Sequence, residues 1–469
     1  MSTDRDRSLL APVPVPFSPT IGPVRRERVR GWLAAAVAAT ALFGVAVVAL
    51  PEHPADQRGQ AGQGRPMGAV QPAAGAADAR RADAVAELLG RRADALLRRD
   101  QAAFTATLDP AAEPAFLAAQ QEYFTNLATV PLDAWSYTVR AEDSLDLGSL
   151  TAPAADPAAT EQWAPAVELH YALRGIDPTP TDRSLGYLFV RRGEQWFLRS
   201  DTALGELGRR TWRGPWDFGP VVVAPAANGL VLAHPGNQAM VDRLVRELDP
   251  AVEAVGRVWG DRWPRRVALL LPDSPAEMRA LVGPDFPVES VVAVAVADRV
   301  DTARRTATGQ RVVLSPTGSR ALSIASLRVV LRHEITHVAA RVDTVDGSPM
   351  WLLEGFADYV GYRESGLGLA QGAPDLARSV RAGGPPRALP QDRDFRERDL
   401  DLAYQRSWSI ARFVADRFGE RELVQLYRSL AGAGPVSAGE TDELLRGAIG
   451  LDRGGLLRAW QDYLREALR

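Results

Sequence analysis

A pair of histidines four positions apart is the part of this sequence best suited to chemistry. Residues 332–337 read R-H-E-I-T-H, which contains the pattern H-E-x-x-H. Four residues along a helix turn through roughly 400°, so His333 and His337 project from nearly the same face, one turn apart. Two imidazole nitrogens placed in this way can hold one zinc ion at about 2.0–2.1 Å. Glu334 lies beside such an ion, where it can take a proton from a zinc-bound water.

The helix that this pattern requires is indicated independently by its apolar residues. They form one stripe, made of Ile324, Leu327, Leu331, Ile335 and Val338. A second helical segment, P-M-W-L-L-E-G-F-A-D-Y, follows, and we expect Ser348 to cap it and Pro349 to begin it. In this segment Glu354 and Asp358 are one turn apart and share a face. Because the chain has no Cys, histidines and carboxylates must hold any metal.

Together these residues resemble the gluzincin peptidases, whose second helix reads W-L-x-E-G-x-A-[DE]-Y. The resemblance implies one zinc ion held by His333, His337 and Glu354. It also implies that Glu334 is the general base of the reaction. Asp358 is then expected to orient His333, since a metal-bound histidine normally needs a partner for its second nitrogen.

A later segment resembles the gluzincin helix that carries an oxyanion-stabilising tyrosine. Residues 399–413, D-L-D-L-A-Y-Q-R-S-W-S-I-A-R-F, point in this way to Tyr404 as a second catalytic residue. The same side chain would also fit the packed face of an amphipathic helix, and both interpretations stay open. The resemblance to the gluzincins covers residues 238–469 and is closest at 331–362.

The sequence therefore predicts zinc-dependent hydrolysis of a peptide or protein substrate. Structural zinc sites normally have four protein ligands, whereas three are identifiable here, which favours an open catalytic position. The alternative is a non-catalytic binding or sensing protein, tethered to a membrane, that keeps zinc for structure. The net charge is −3, so the composition shows no nucleic-acid footprint and no nucleic-acid partner is expected.

An uncharged run at residues 31–50, G-W-L-A-A-A-V-A-A-T-A-L-F-G-V-A-V-V-A-L, is long enough to cross a bilayer. Several arginines precede it, so we predict a transmembrane helix whose N-terminal side is cytoplasmic. A cleaved signal peptide is the rival interpretation, but its apolar core is usually only about 7–15 residues long. The prediction is a single-pass protein of the cell membrane with its catalytic domain outside the cytoplasm.

The rest of the chain divides by composition into segments, and the expected fold class is α+β. Residues 1–30 are predicted to be a disordered cytoplasmic tail, and residues 51–78 a flexible linker. Residues 79–205 predict helices followed by an antiparallel sheet, an order similar to the cone-shaped folds of the nuclear-transport-factor-2-like (NTF2-like) group. A connecting hairpin at 206–237 leads to a zinc metallopeptidase domain at 238–469, with a small mixed sheet and a mostly helical C-terminal part.

Two further predictions concern elements near the metal helix. Residues 312–314 read either as an edge strand, whose free backbone groups pair with an extended peptide substrate, or as an ordinary core strand. Residues 238–259 read as a helix with a break at Pro250, because proline removes a helical hydrogen bond.

Overall fold

The computed structural model describes residues 48–49, 72–148, 159, 161–284, 286–396 and 400–469. The described part is an α+β fold with mixed sheets. In chain order its first half contains β1 (Val48–Ala49), α1 (Pro72–Arg98), α2 (Gln101–Thr105), α3 (Pro114–Leu127), β2 (Leu132–Arg140), β3 (Glu161–Trp163), β4 (Ala166–Leu173), β5 (Thr181–Leu185), β6 (Leu188–Arg192) and β7 (Gln195–Ser200). The second half contains β8 (Val222–Ala226), β9 (Gly229–Ala233), α4 (Gln238–Trp259), β10 (Val267–Leu271), α5 (Pro275–Val282), β11 (Ala293–Ala297), β12 (Arg299–Asp301), β13 (Thr306–Thr308), β14 (Arg311–Leu314), α6 (Ile324–Ala340), α7 (Met350–Tyr362), α8 (Leu369–Gly372), α9 (Pro374–Gly383), α10 (Leu400–Phe418), α11 (Glu420–Ala433), α12 (Ala438–Ile449) and α13 (Arg453–Ala467).

The N-terminal half, α1 to β7, consists of helices followed by two small antiparallel sheets. One sheet has the strand order β2-β4-β5 and the other β3-β6-β7. Helix α1 packs against β2 and β7 and buries Leu88, Leu89 and Leu96 in the core. It begins at Pro72, inside the segment predicted to be a linker, because the alanines of residues 72–78 favour helix.

The central sheet has six strands in the order β1-β11-β14-β10-β9-β8. Strand β10 is parallel to both β9 and β14, whereas β11 is antiparallel to β14 and β8 is antiparallel to β9. The hairpin predicted at 206–237 therefore supplies two strands of this sheet. Its turn is held by Asp249, whose carboxylate accepts hydrogen bonds from the backbone N–H groups of Ala227 and Asn228.

Strands β9, β10, β11 and β14 of the central sheet send alternate side chains into two different cores. Ala295 and Val312 face a core that α4 and α6 share. Val294 and Val313 face the opposite side, where Trp135 of the N-terminal half belongs to the same core. The N-terminal half and α5 therefore cover one face of the sheet, and α4 and α6 cover the other.

The predicted transmembrane helix, and with it the predicted single-pass membrane localisation, is wrong. Val48 and Ala49, near the end of the uncharged run, form β1 and pair in parallel with Val296 and Ala297 of β11. A run rich in valine satisfies the requirements of a strand as well as those of a helix. Within the part of the chain that the structure describes, every helix is too short or too polar to span a bilayer. Residues 1–47 lie outside that part.

The positions of the elements decide two other predictions. Helix α4 runs unbroken through Pro250, because Leu248 and Val252 on either side are buried in the core, and this burial outweighs one lost hydrogen bond. Strand β14 lies between β11 and β10, so residues 312–314 form a core strand and not an edge. Strand β11 lies nearer the edge of the sheet, and its residues Val296 and Ala297 pair with the short β1.

Candidate metal centre

Helix α6 places the H-E-x-x-H residues inside the molecule. Ser323 caps its first turn by accepting a hydrogen bond from the backbone N–H of Ser326. Leu327 and Leu331 pack in the core beneath the central sheet, and this anchors the helix. His333 and His337 are both buried as a consequence, although imidazoles are usually at least partly exposed.

Helix α7 brings a buried carboxylate to the same place. Its first turn is capped by Asp392, which accepts the N–H of Met350, and not by Ser348, whose hydroxyl donates to the carbonyls of Val345 and Ala431. A Cβ added at Gly355 would overlap the backbone oxygen of Ser407, so α7 and α10 are in close contact there. This close packing leaves the Glu354 side chain fully buried.

The three predicted metal ligands form a compact triangle. The two Nε2 atoms of His333 and His337 are 3.1 Å apart. Oε2 of Glu354 lies 3.4 Å from Nε2 of His333 and 3.7 Å from Nε2 of His337. A tetrahedral ion with bonds of about 2.0–2.1 Å keeps its ligand atoms about 3.3 Å from one another. The triangle therefore has the size that a zinc ion requires.

The charges around Glu354 favour a cation at the centre of this triangle. Among the described residues, neither carboxylate oxygen of Glu354 has a hydrogen-bond partner, although the side chain is 0% exposed. Burial raises the pKa of Glu354, but the imidazoles of His337 and His333 outweigh burial and hold that pKa below its usual value. A buried anion without partners is costly unless a metal or another cation compensates it. Two imidazole nitrogens and one carboxylate oxygen are a donor set that suits zinc, so the group is compatible with a metal site.

Asp358 holds the ring of His333 in place from the other side. Nδ1 of His333 lies 2.8 Å from Oδ1 of Asp358 and donates to it, which leaves the lone pair of Nε2 directed at the triangle. Burial lowers the pKa of His333, but Asp358 and Glu354 outweigh burial, and the net pKa lies well above its ordinary value. This is the contact that the resemblance to the gluzincins implied for Asp358.

Glu334 is a second buried carboxylate next to the triangle and outside it. Its side chain lies close enough to the two histidines for their charges to lower its pKa, but burial dominates and the net pKa is raised. The backbone of Ala295 in β11 lies within hydrogen-bonding reach of this carboxylate. The other oxygen, Oε2, has no hydrogen-bond partner among the described residues. Glu334 thus keeps one oxygen available for a proton.

Tyr404, the predicted oxyanion residue, lies in α10. Its side chain is buried, and its ring meets that of Phe395 edge-on, with 5.3 Å between the ring centroids. This contact fits the packed interpretation of the residue. Its role in the reaction stays a prediction.

One residue of the site has no counterpart in the sequence predictions. Arg332, next to His333, is buried, and its Nη1 donates to the backbone oxygen of Arg363 at 2.8 Å. The bond ties the histidine-bearing helix α6 to the C-terminal end of α7. An arginine among the apolar residues of a buried helix is the one signal in the sequence that could have pointed to this link.

Comparisons with known proteins give structural neighbours and no sequence family. The sequence matches no protein-family model, and no curated protein is significantly similar to it. One similar solved structure is a mutant M1 zinc metallopeptidase from Deinococcus radiodurans, 17% identical, with 52% of each chain covered and a TM-score of 0.32. Another is a two-domain M1 zinc metallopeptidase mutant bound to L-arginine, 15% identical over 66% of this chain and 62% of that chain, with a TM-score of 0.30. The chain covers less than two thirds of either neighbour.

Proposed function

We propose that this protein is a zinc-dependent peptidase, in which His333, His337 and Glu354 hold one zinc ion and Glu334 acts as general base. The observation that carries the proposal is the pairing of two buried carboxylates with different surroundings. Glu354 is part of the triangle with both histidine nitrogens, whereas Glu334 lies beside the triangle and has one oxygen without a hydrogen-bond partner among the described residues. A hydrolytic metal site needs these two roles, one ligand and one base.

The number of donors favours catalysis over a purely structural site. Structural zinc sites are normally closed by four protein ligands, and catalytic sites keep one position open. Within the described residues, the metal-compatible group comprises His333, His337 and Glu354 and no fourth side chain. The alternative of a non-catalytic zinc-binding or sensing protein would need that fourth ligand.

The proposed reaction assigns a task to each of these side chains. When bound, zinc supplies Lewis acidity, which polarises a carbonyl group and makes a water molecule more acidic. Glu334 takes the proton of the attacking water and passes it to the leaving amine. Burial raises the pKa of Glu334, which makes this carboxylate a stronger base than an exposed one. Asp358 keeps His333 oriented throughout, since it holds Nδ1.

The same arrangement suggests where a peptide substrate lies. At Ala293 and Ala295, β11 carries no further strand on its outer side among the described residues. Ala295 is also the residue whose backbone approaches Glu334. An extended peptide that adds to this edge of β11 would therefore pass next to the proposed base. The side chains of β11 are all alanine or valine, so we expect backbone hydrogen bonds to contribute most of the binding along this strand.

Glutamine substitutions at the two buried glutamates test the proposal. Glu334→Gln removes the base and keeps the shape, so zinc content should match the parent while kcat falls by about 10²–10⁴-fold. Glu354→Gln removes the anionic ligand, so zinc itself should be lost or bound much more weakly, and activity should fall with it. Bound zinc and cleavage of a peptide library are measured for both variants. Glu253→Gln, an exposed position on α4, serves as the control and should match the parent in both measurements.

Two results would contradict the proposal. Cleavage by Glu334→Gln at the rate of the parent would exclude Glu334 as the base, even with zinc bound. Parent-like zinc affinity in Glu354→Gln would mean that another carboxylate completes the site.

A further inference from the structure

Two ion pairs with little solvent exposure join the N-terminal half to the strands beside the metal helix. Arg311, at the start of β14, binds both carboxylate oxygens of Asp177, with N–O distances of 2.7 Å. The side chains of this pair are 3% and 5% exposed. Asp298, directly after β11, pairs with Arg183 of β5 and also accepts the hydroxyl proton of Thr181. Charge-assisted bonds that are this well shielded from water hold the N-terminal half in one position relative to β11 and β14.

The backbone around these pairs leaves little room for another arrangement. Gly309, between β13 and β14, has a φ of +61°, and a Cβ added there would overlap the carboxylate of Asp298 and the hydroxyl of Thr181. Its neighbour Gln310 donates from Nε2 to the backbone oxygen of Val338 at 2.9 Å. The same short connection therefore touches the N-terminal half on one side and α6, one residue after His337, on the other.

Strand β11 continues this chain of contacts to the metal centre. Its residue Ala295 approaches Glu334, and Asp298 lies three positions further along. On the opposite face, Val294 and Val296 pack in the core that contains Trp135 and Tyr171 of the N-terminal half. The position of the Ala295 backbone is therefore set by contacts on both sides of the strand.

We propose that Asp177, Thr181 and Arg183 of the N-terminal half are positioning residues for the metal centre, acting through β11 and β14 on Glu334. On this view the N-terminal half is part of the catalytic unit and not a detachable spacer. The effect on the reaction rate rests on the proposed function. The contacts that connect the N-terminal half to Glu334 through β11 and β14 do not depend on that function. A small displacement of a catalytic group can cost roughly 10²-fold in rate, which makes the link measurable.

Two substitutions in the full-length, zinc-loaded chain test this inference. Asp177→Asn removes the charge that Arg311 binds, and Thr181→Val removes only the hydroxyl bound to Asp298, at almost unchanged volume. We expect each substitution to lower kcat by about tenfold or more at parent-like zinc content. The reason is that Glu334 would lose its fixed distance from β11, the strand along which we propose that the substrate binds. We also expect the backbone amides of residues 293–297 to exchange hydrogen faster than in the parent.

Matched controls separate positioning from a general loss of stability. Thr181→Ser keeps the hydroxyl and should restore the kcat of the parent. Glu168→Gln breaks the exposed pair with Arg140 on the outer face of the same half, where the N–O distance is 2.8 Å, and should change neither measurement. A merely structural role would lower the melting temperature and leave kcat per bound zinc unchanged at temperatures well below it.

The outcomes distinguish this inference from the proposed function. A parent-like kcat in folded, zinc-loaded Thr181→Val overturns the inference, and this variant decides if Asp177→Asn does not fold. If the parent itself cleaves no peptide, the proposed function fails and amide exchange decides the inference. Faster exchange at 293–297 in Thr181→Val than in Thr181→Ser would then support it, and equal exchange would overturn it.

Discussion

At the scale of single residues, His333 is held from two sides by carboxylates of one helix. Glu354 lies 3.4 Å from its Nε2, and Asp358 accepts a hydrogen bond from its Nδ1 at 2.8 Å. One carboxylate is thus placed to share a metal with the ring, and the other to fix its tautomer. Substitution of the second should weaken metal binding without removing a ligand.

Asp358→Asn is expected to lower zinc affinity by about 10–100-fold, because the amide no longer stabilises the orientation and basicity of His333. A competition titration against a chelator of known affinity measures this. Asp462→Asn, an exposed aspartate of α13, is the control and should bind zinc like the parent. Zinc affinity of Asp358→Asn within twofold of the parent value would show that the hydrogen bond has no influence on the metal.

The shared helical faces at the metal centre could be predicted from the sequence because each is a local relation, whereas the place of Glu354 in the triangle was predicted only from the resemblance to the gluzincins. His333 and His337 share a helical face by their spacing alone, and so do Glu354 and Asp358. The approach of Ala295 to Glu334 could not be predicted in this way. This approach arises from packing between a strand and a helix. Nothing about an alanine in an apolar strand indicates that its backbone contacts a glutamate.

At the scale of elements, the metal centre depends on the close packing of α7 and α10. Gly355→Ala would place a Cβ against the backbone oxygen of Ser407, and backbone yields less readily than a side chain. We expect α7 to shift, with a loss of about 1–3 kcal/mol in the free energy of unfolding and weaker zinc binding. Chemical denaturation and zinc titration measure the two effects.

Gly447→Ala is the matched control, because this glycine is also helical but has nothing within 4 Å of an added Cβ. There alanine should raise the free energy of unfolding by about 0.5–1 kcal/mol, the usual helix preference. A stable, zinc-binding Gly355→Ala protein would show that the contact between α7 and α10 is not tight.

A buried histidine outside the metal centre makes stability depend on pH. His234 donates from Nδ1 to the carbonyl of Pro220 at 2.9 Å, and its Nε2 lies 2.8 Å from Oε1 of Glu277 in α5. Burial lowers the pKa of His234, but Glu277 outweighs burial, and the net pKa is raised. A raised folded-state pKa contributes stability that is fully present below the unfolded value near 6.5 and is lost as pH rises through the folded value.

We therefore expect the melting temperature of the parent to fall as the pH is raised from about 6 to about 9. The melting temperature of Glu277→Gln should fall by less over the same range, because the carboxylate that pairs with His234 is absent. Subtracting the two melting profiles removes the contribution of the metal-centre histidines, which both proteins share. Parallel profiles would mean that His234 is neutral in the folded protein at all of these pH values.

Element boundaries follow from the sequence more closely than element neighbours do. The predicted helix at 238–259 has the same bounds as α4, because it is a continuous periodic run. Ser348 was the natural cap for α7 by position, yet Asp392 performs this function from a segment far along the chain. A cap that comes from a distant loop leaves no local pattern to read.

At the scale of the whole molecule, the N-terminal half and the central sheet share one core. Leu232, Leu270 and Val313 of the sheet are buried together with Trp135 and Trp216. Composition predicts the division of the chain near residue 205. It does not predict this contact, since a strand buried on both faces shows the same apolar run whichever partners cover it.

A chain that starts at Gly219 should consequently fail to fold cooperatively, because one face of its sheet would be exposed to water. We expect a broad thermal transition and strong binding of a hydrophobic dye, in contrast to the single transition of the full chain. The parent chain cleaved between the halves after folding is the control and should retain its transition. A truncated protein that melts sharply, near the temperature of the parent, would show that the sheet is stable without its second layer.

The ion pair of Asp177 and Arg311 also has a consequence for synthesis of the protein. The two residues are separated by 134 positions, and ribosomes add about 5–20 residues per second, so roughly 7–27 s pass between them. During that interval the aromatic face around Trp135 and Tyr171 has left the ribosome without the strands that cover it. We therefore expect the nascent N-terminal half to bind chaperones that recognise exposed apolar surface, and slower translation between these positions should increase its aggregation.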